Sequence, residues 1–123
     1  MELDTPYVHL CIKDNILVGT YKKNLRINLE IARAIVHARK SFTSRPMPSL
    51  IISQGVISMD KPAREYLASA EATRGLTAAA IIVHSAFSSF LGNFFLAVNK
   101  TVLPVKIFTD IRKAENWLGQ YIQ

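Results

Sequence analysis

Residues 78–84 read Ala78-Ala79-Ala80-Ile81-Ile82-Val83-His84. This run is apolar up to its last residue and too short for a typical helix, so it reads as the most deeply buried strand of the chain. Downstream, Ser85-Ala86 forms a short turn into a helix with Phe87, Phe90, Leu91, Phe94, Phe95 and Val98 on one stripe, closed by Asn99-Lys100. Residues 105–109 form a last strand. Asp110 then caps a final helix with Ile111, Ala114, Leu118 and Tyr121 on one face and Trp117 beside them.

Upstream, residues 50–53 are a second continuous apolar strand, covered on both faces and ended by Gln54-Gly55. Asp60 caps the following helix, in which Pro62 is tolerated in the first turn. That helix carries Ala63, Tyr66, Leu67 and Ala70 and frays before Gly75. Before it, Arg45-Pro46-Met47-Pro48 breaks a helix over residues 29–41, because proline excludes helical geometry at the preceding residue. Asn28 is the N-cap of that helix, Glu30 suits the positive end of its dipole, and Ile31, Ile35, Ala38 and Phe42 form its apolar stripe. At the start, residues 7–13 (YVHLCIK) and 16–21 are strands joined by Asp14-Asn15, a hairpin.

The element order is therefore β-β-α-β-α-β-α-β-α. Repeated β-α alternation after an opening antiparallel hairpin implies an α/β fold with a mostly parallel central sheet and right-handed crossovers. The length of 123 residues suits one domain over 1–123. Half of the residues are apolar, a globular composition. The one cysteine, Cys11, rules out an intramolecular disulfide and is expected to be a buried, inert thiol. The acidic start Met1-Glu2-Leu3-Asp4 is unlike a secretory signal, and no apolar run approaches the roughly 20 residues of a membrane span. A cytoplasmic protein without membrane insertion is expected.

The net charge of +6 is concentrated. Lys22, Lys23, Arg26, Arg33, Arg39, Lys40 and Arg45 face one acid, Glu30, in residues 22–45, and the remainder of the chain is neutral. Arg26, Glu30, Arg33, His37 and Lys40 recur at spacings of three and four, so the excess reads as an exposed helix face and its flanks. Nucleic acid is not an expected partner, since Phe42, the aromatic residue of that segment, is placed in the core and bases need exposed rings to stack on.

Little in the chain has the make-up of an active site. The five glycines are far apart, which excludes a Gly-rich phosphate loop, and His9, His37 and His84 lie on different elements without metal-ligand spacing. Ser53, Gln54, Ser58, Asp60, His84, Ser85, Ser88 and Asp110 would gather at the carboxyl edge of the strands, where such sheets bind ligands. The nucleophile elbow of hydrolases is missing there, and Ser85 and Asp110 are explained as helix caps. No catalytic residue, metal or cofactor is expected.

Two stretches carry a resemblance. TYKKNLRINLEIARAIV (residues 20–36) and KIFTDIRKAENWL (residues 106–118) look like the second strand with first helix, and the closing strand, acidic turn and helix, of SpoIIAA-like proteins. Together with the element order, they make the chain resemble the STAS-like domains related to the anti-sigma factor antagonist SpoIIAA. The resemblance implies a non-enzymatic regulatory or protein-binding module. It also implies a phosphorylatable serine just after an aspartate at the start of the second helix. Here Met59-Asp60-Lys61-Pro62 stands in that place, so the serine switch does not carry over.

The leading expectation is a signalling module that binds a protein partner, or itself as a homodimer, through Ser58, Asp60, Lys61 and Arg64. The alternative is a small apolar-ligand or lipid-binding domain, with a pocket bordered by Phe90, Phe94 and Leu96.

Overall fold

The computed structural model describes residues 1–84 and 103–122. Among them the strands are β1 (Glu2–Asp4), β2 (Val8–Lys13), β3 (Ile16–Tyr21), β4 (Leu25–Ile27), β5 (Met47–Ile52), β6 (Val56–Met59), β7 (Leu76–Ile82) and β8 (Val105–Phe108). The helices are α1 (Leu29–Phe42), α2 (Lys61–Leu67), α3 (Ala70–Thr73) and α4 (Ile111–Leu118), the last running into a 3-10 turn over Gly119–Tyr121. The helix expected at residues 87–98, with Phe90, Phe94 and Leu96, lies outside the described residues.

The main sheet has the order β1-β2-β3-β5-β7-β8, antiparallel for its first two pairings and parallel for the rest. The expected hairpin is present. Asp14 and Asn15 both take left-handed backbone, with φ of 53° and 64°, as a two-residue type I′ turn requires. The N-caps at Asn28, Asp60 and Asp110 also form as read, each accepting a backbone N–H from the first turn of its helix.

Several elements differ from the sequence reading. β4 pairs in parallel with β6 as a separate two-stranded sheet, held by tertiary pairing since strands of three and four residues are too short to show a period. The strand expected at residues 50–53 begins earlier, at Met47, and accommodates Pro48 through a register shift between Met47 and Ser49. The second helix is two, because Ser69 interrupts it and caps α3, accepting from the Ala72 N–H at 3.1 Å.

Side chains of opposite parity along the strands face opposite layers. Ile16, Leu50, Ala78, Ala80 and Ile82 pack against Ala114 and Leu118 of α4 in a solid cluster. On the other face, Val8 and Leu10 pack with Ile35 of α1 and Ala63 of α2. Two placements are corrected. Ile111, expected on the buried face of the last helix, is 42 % exposed at its first position. Cys11, expected to be buried, is half-buried.

Candidate functional site

Among the described residues, the α1–α3 face of the sheet is not filled. A cavity of about 370 Å³ lies on it, in the usual range for small-molecule pockets, roughly 300–1,000 Å³. Strand register explains the floor. Leu17, Ser49, Ala79 and Val105 lie side by side across four strands, and Gly19, Ile51, Ile81 and Ile107 form the next row. Gly19, Ser49 and Ala79 present little or no side chain at the centre of this floor, so the space beneath the helices is left open there. Ser49 turns its hydroxyl away into a 3.0 Å bond to the Leu17 carbonyl.

The walls come from the helices and strand ends. Ile35, Val36 and Arg39 of α1, Arg64 and Leu67 of α2, and Ala72 and Thr73 of α3 all line the cavity. Tyr21 enters from the end of β3. Its hydroxyl has no hydrogen-bond partner among the described residues, and burial pushes its pKa up to about 12 against the opposing pull of Arg39. Arg39 donates from Nη2 to the carbonyls of Ala72 at 2.7 Å and Arg74 at 2.9 Å. Burial lowers its pKa, opposed by the Tyr21 and Tyr66 phenols. Among the described residues lining the cavity there is no Asp or Glu.

The four residues expected to bind a partner are brought together at the β6–α2 junction. Ser58 is exposed opposite Arg26 of β4. Asp60 caps α2, and Lys61 stands 3.9 Å from Glu65 on the exposed side. Arg64 points the other way, donating to the Met59 carbonyl at 3.1 Å and lining the cavity.

Four of the carboxyl-edge polar residues are committed elsewhere. The Ser53 hydroxyl donates to the Ile82 carbonyl at 2.8 Å, the His84 ring Nε2 bonds the Gln54 carbonyl at 2.8 Å, and Asp60 and Asp110 hold helix N-termini. Ser85 and Ser88 lie outside the described residues. No group of three or more His, Cys, Asp or Glu side chains that could hold a metal ion occurs among the described residues. No helix among them is long and apolar enough to cross a membrane.

Tyr21 and Arg39 are not singled out by the sequence. For Arg39 the helical spacing becomes informative only once the buried face is known. This residue follows Ala32, Ile35 and Val36, all buried, by seven, four and three residues, which puts it on the buried face of α1. In the sequence it counts among the cations of a segment expected to be exposed. Lys40 is likewise engaged, donating to the Glu71 carbonyl at 2.6 Å.

A family model described as a domain of unknown function (DUF7793) matches residues 10–122. No curated protein matches the chain. Among solved structures, the chain is similar to the crystal structure of an uncharacterised protein of the DUF3478 family with a SpoIIAA-like fold from Shewanella loihica PV-4. The two share 16 % identity at a TM-score of 0.67, over 96 % of this chain and 98 % of that one. The fold is SpoIIAA-like.

Proposed function

The chain belongs to the family described as a domain of unknown function (DUF7793), and we propose that it is a non-enzymatic module that binds a small apolar ligand on the α1–α3 face of its sheet. The observation that carries this reading is the cavity of about 370 Å³ over a floor of apolar and small residues. Apolar surface facing open space favours an apolar occupant, because filling it removes both surfaces from water. The commitment of Ser53, His84, Asp60 and Asp110 to backbone groups supports a module without catalysis.

Ala79→Leu provides the test, since it adds bulk at the centre of the floor. The neutral dye N-phenyl-1-naphthylamine is expected to bind the wild type saturably at one site, with increased fluorescence, and to lose that signal in the variant. Equal, unsaturable fluorescence in both proteins overturns the reading.

A regulatory role through a protein partner is the second reading, in a bacterial, cytoplasmic signalling setting. It is favoured by the exposure of Ser58, Asp60 and Lys61 beside Ile57, which is 51 % exposed. A stable complex that survives Ala79→Leu but is lost on Ile57→Asp with Lys61→Glu supports this surface; a complex indifferent to the double variant removes it.

A further inference from the structure

The cavity is apolar in its floor but not neutral in its walls. Arg39 and Arg64 both border it, and the described residues that line it include no carboxylate. A guanidinium next to apolar space is stable when something offsets its charge. At Arg39 the offset comes from two backbone carbonyls, both bonded through Nη2. An arginine carries donors on three nitrogens, and among the described residues no acceptor faces the Nε and Nη1 hydrogens. The same two bonds tether the side chain to the end of α3 and hold the charge at the cavity wall. Tyr21 lines the same cavity, its hydroxyl within electrostatic range of Arg39 and without a partner among the described residues.

We propose that the cavity takes a single-chain amphiphile with one anionic head, a fatty-acid-like monocarboxylate, whose head is bound by Arg39 and whose chain lies along the floor formed by β3, β5, β7 and β8. This rests on the apolar-ligand reading and adds the charge and shape of the ligand. Charge complementarity is the reason for the choice. A neutral hydrocarbon offers the Nε and Nη1 hydrogens no acceptor, a cationic amphiphile meets repulsion, and a dicarboxylate puts a second charge against the apolar floor. Tyr21 donates from a neutral hydroxyl to the same head. The floor rewards length: each buried methylene strengthens binding about fourfold until the cavity is full.

Isothermal titration with decanoate, decanol and decyltrimethylammonium near neutral pH separates the parts of the proposal. Decanoate is expected to bind about 10–100-fold more tightly than decanol, the worth of a hydrogen bond to a charged group. Decyltrimethylammonium should bind more weakly than either. In Arg39→Met the two affinities should converge to within about threefold, with decanol little changed. Arg39→Lys, which keeps the charge, should retain part of the preference.

Equal affinities for decanoate and decanol in the wild type overturn the anionic head and leave the apolar pocket standing. Binding of neither overturns the pocket itself. Loss of the preference in Arg64→Met but not in Arg39→Met overturns the assignment of the anchor. If Arg39→Met does not fold, the wild-type ratio and Arg39→Lys still decide.

Discussion

A Cβ added at Gly55 would stand 2.5 Å from the Lys22 carbonyl oxygen and 2.8 Å from the Lys23 Cα. The residue is glycine because two turns cross there, and the contact lets the Gly55 carbonyl accept the Leu25 N–H at 3.1 Å. From the sequence Gln54-Gly55 reads as the end of a strand; the strand ends earlier, at Ile52, Gly55 sits in the turn into β6, and its approach to residues 22–23 belongs to the tertiary structure. Tyr21 shows the same limit more strongly. It was read as the last residue of a strand, and only the cavity around it gives its hydroxyl an unusual environment. Since burial raises its pKa from 10.0 to about 12, its contribution to stability is full below pH 10 and lost as pH rises toward 12. A spectrophotometric titration should find one of the four tyrosines ionising about two pH units late, and Tyr21→Phe should remove that late step while leaving the rest of the curve unchanged.

At the scale of elements, β1 is a three-residue edge strand, and such strands have little pairing to hold them. It is clasped by charge instead. The His9 ring on β2 bonds Glu2 at 2.9 Å and Asp4 at 3.2 Å, one carboxylate on each nitrogen, and Lys22 also pairs with Asp4. The bond to Glu2, then that to Asp4, raises the His9 pKa above 6.5. Bonds from Lys22, then His9, lower that of Asp4 below 3.8. The raised histidine supports the clasp fully below pH 6.5 and loses it as pH rises through its folded value. The lowered aspartate supports it above pH 3.8 and loses it as pH falls. Amide exchange in residues 2–4 should therefore be best protected between about pH 4 and 6.5, beyond the intrinsic pH dependence of exchange. In His9→Gln the loss of protection above that window should disappear.

The clasp was invisible in the sequence because its partners lie five to eighteen residues apart and meet only through strand register. The opening hairpin and the caps at Asn28, Asp60 and Asp110 were legible because turn and cap chemistry is local. For α1 the period was legible but the buried face was not. Its innermost residues are Ala32, Ile35 and Val36, whereas Ile31, Ala38 and Phe42 are only partly buried. An apolar residue at the margin of a stripe looks the same in sequence as one at its centre.

For the whole molecule, the two faces of the sheet differ in how completely they are packed. Ile82 is 0 % exposed in the cluster beneath α4, while its neighbour Ile81 points to the cavity. Truncating a close-packed isoleucine costs about 2–5 kcal/mol, through lost transfer energy and the void left behind. Where space already exists, fewer contacts are lost. Chemical denaturation should give Ile82→Ala a loss in the upper half of that range and Ile81→Ala a loss near or below its lower end. Equal losses would mean that both faces are solid.

Local composition by itself determined the opening hairpin, the strands β5, β7 and β8 with the helices α1, α2 and α4, the mostly parallel sheet they imply and the three N-caps, because apolar period, turn residues and capping residues act over a few positions. It also carried the SpoIIAA-like resemblance. Only the tertiary structure decided that Gly19, Ser49 and Ala79 meet at one place on the floor, and that Arg39 and Tyr21 border the space above them. Those residues are brought together by the register of strands distant in the chain, and no local pattern encodes register between strands that far apart. The candidate site is made of that register.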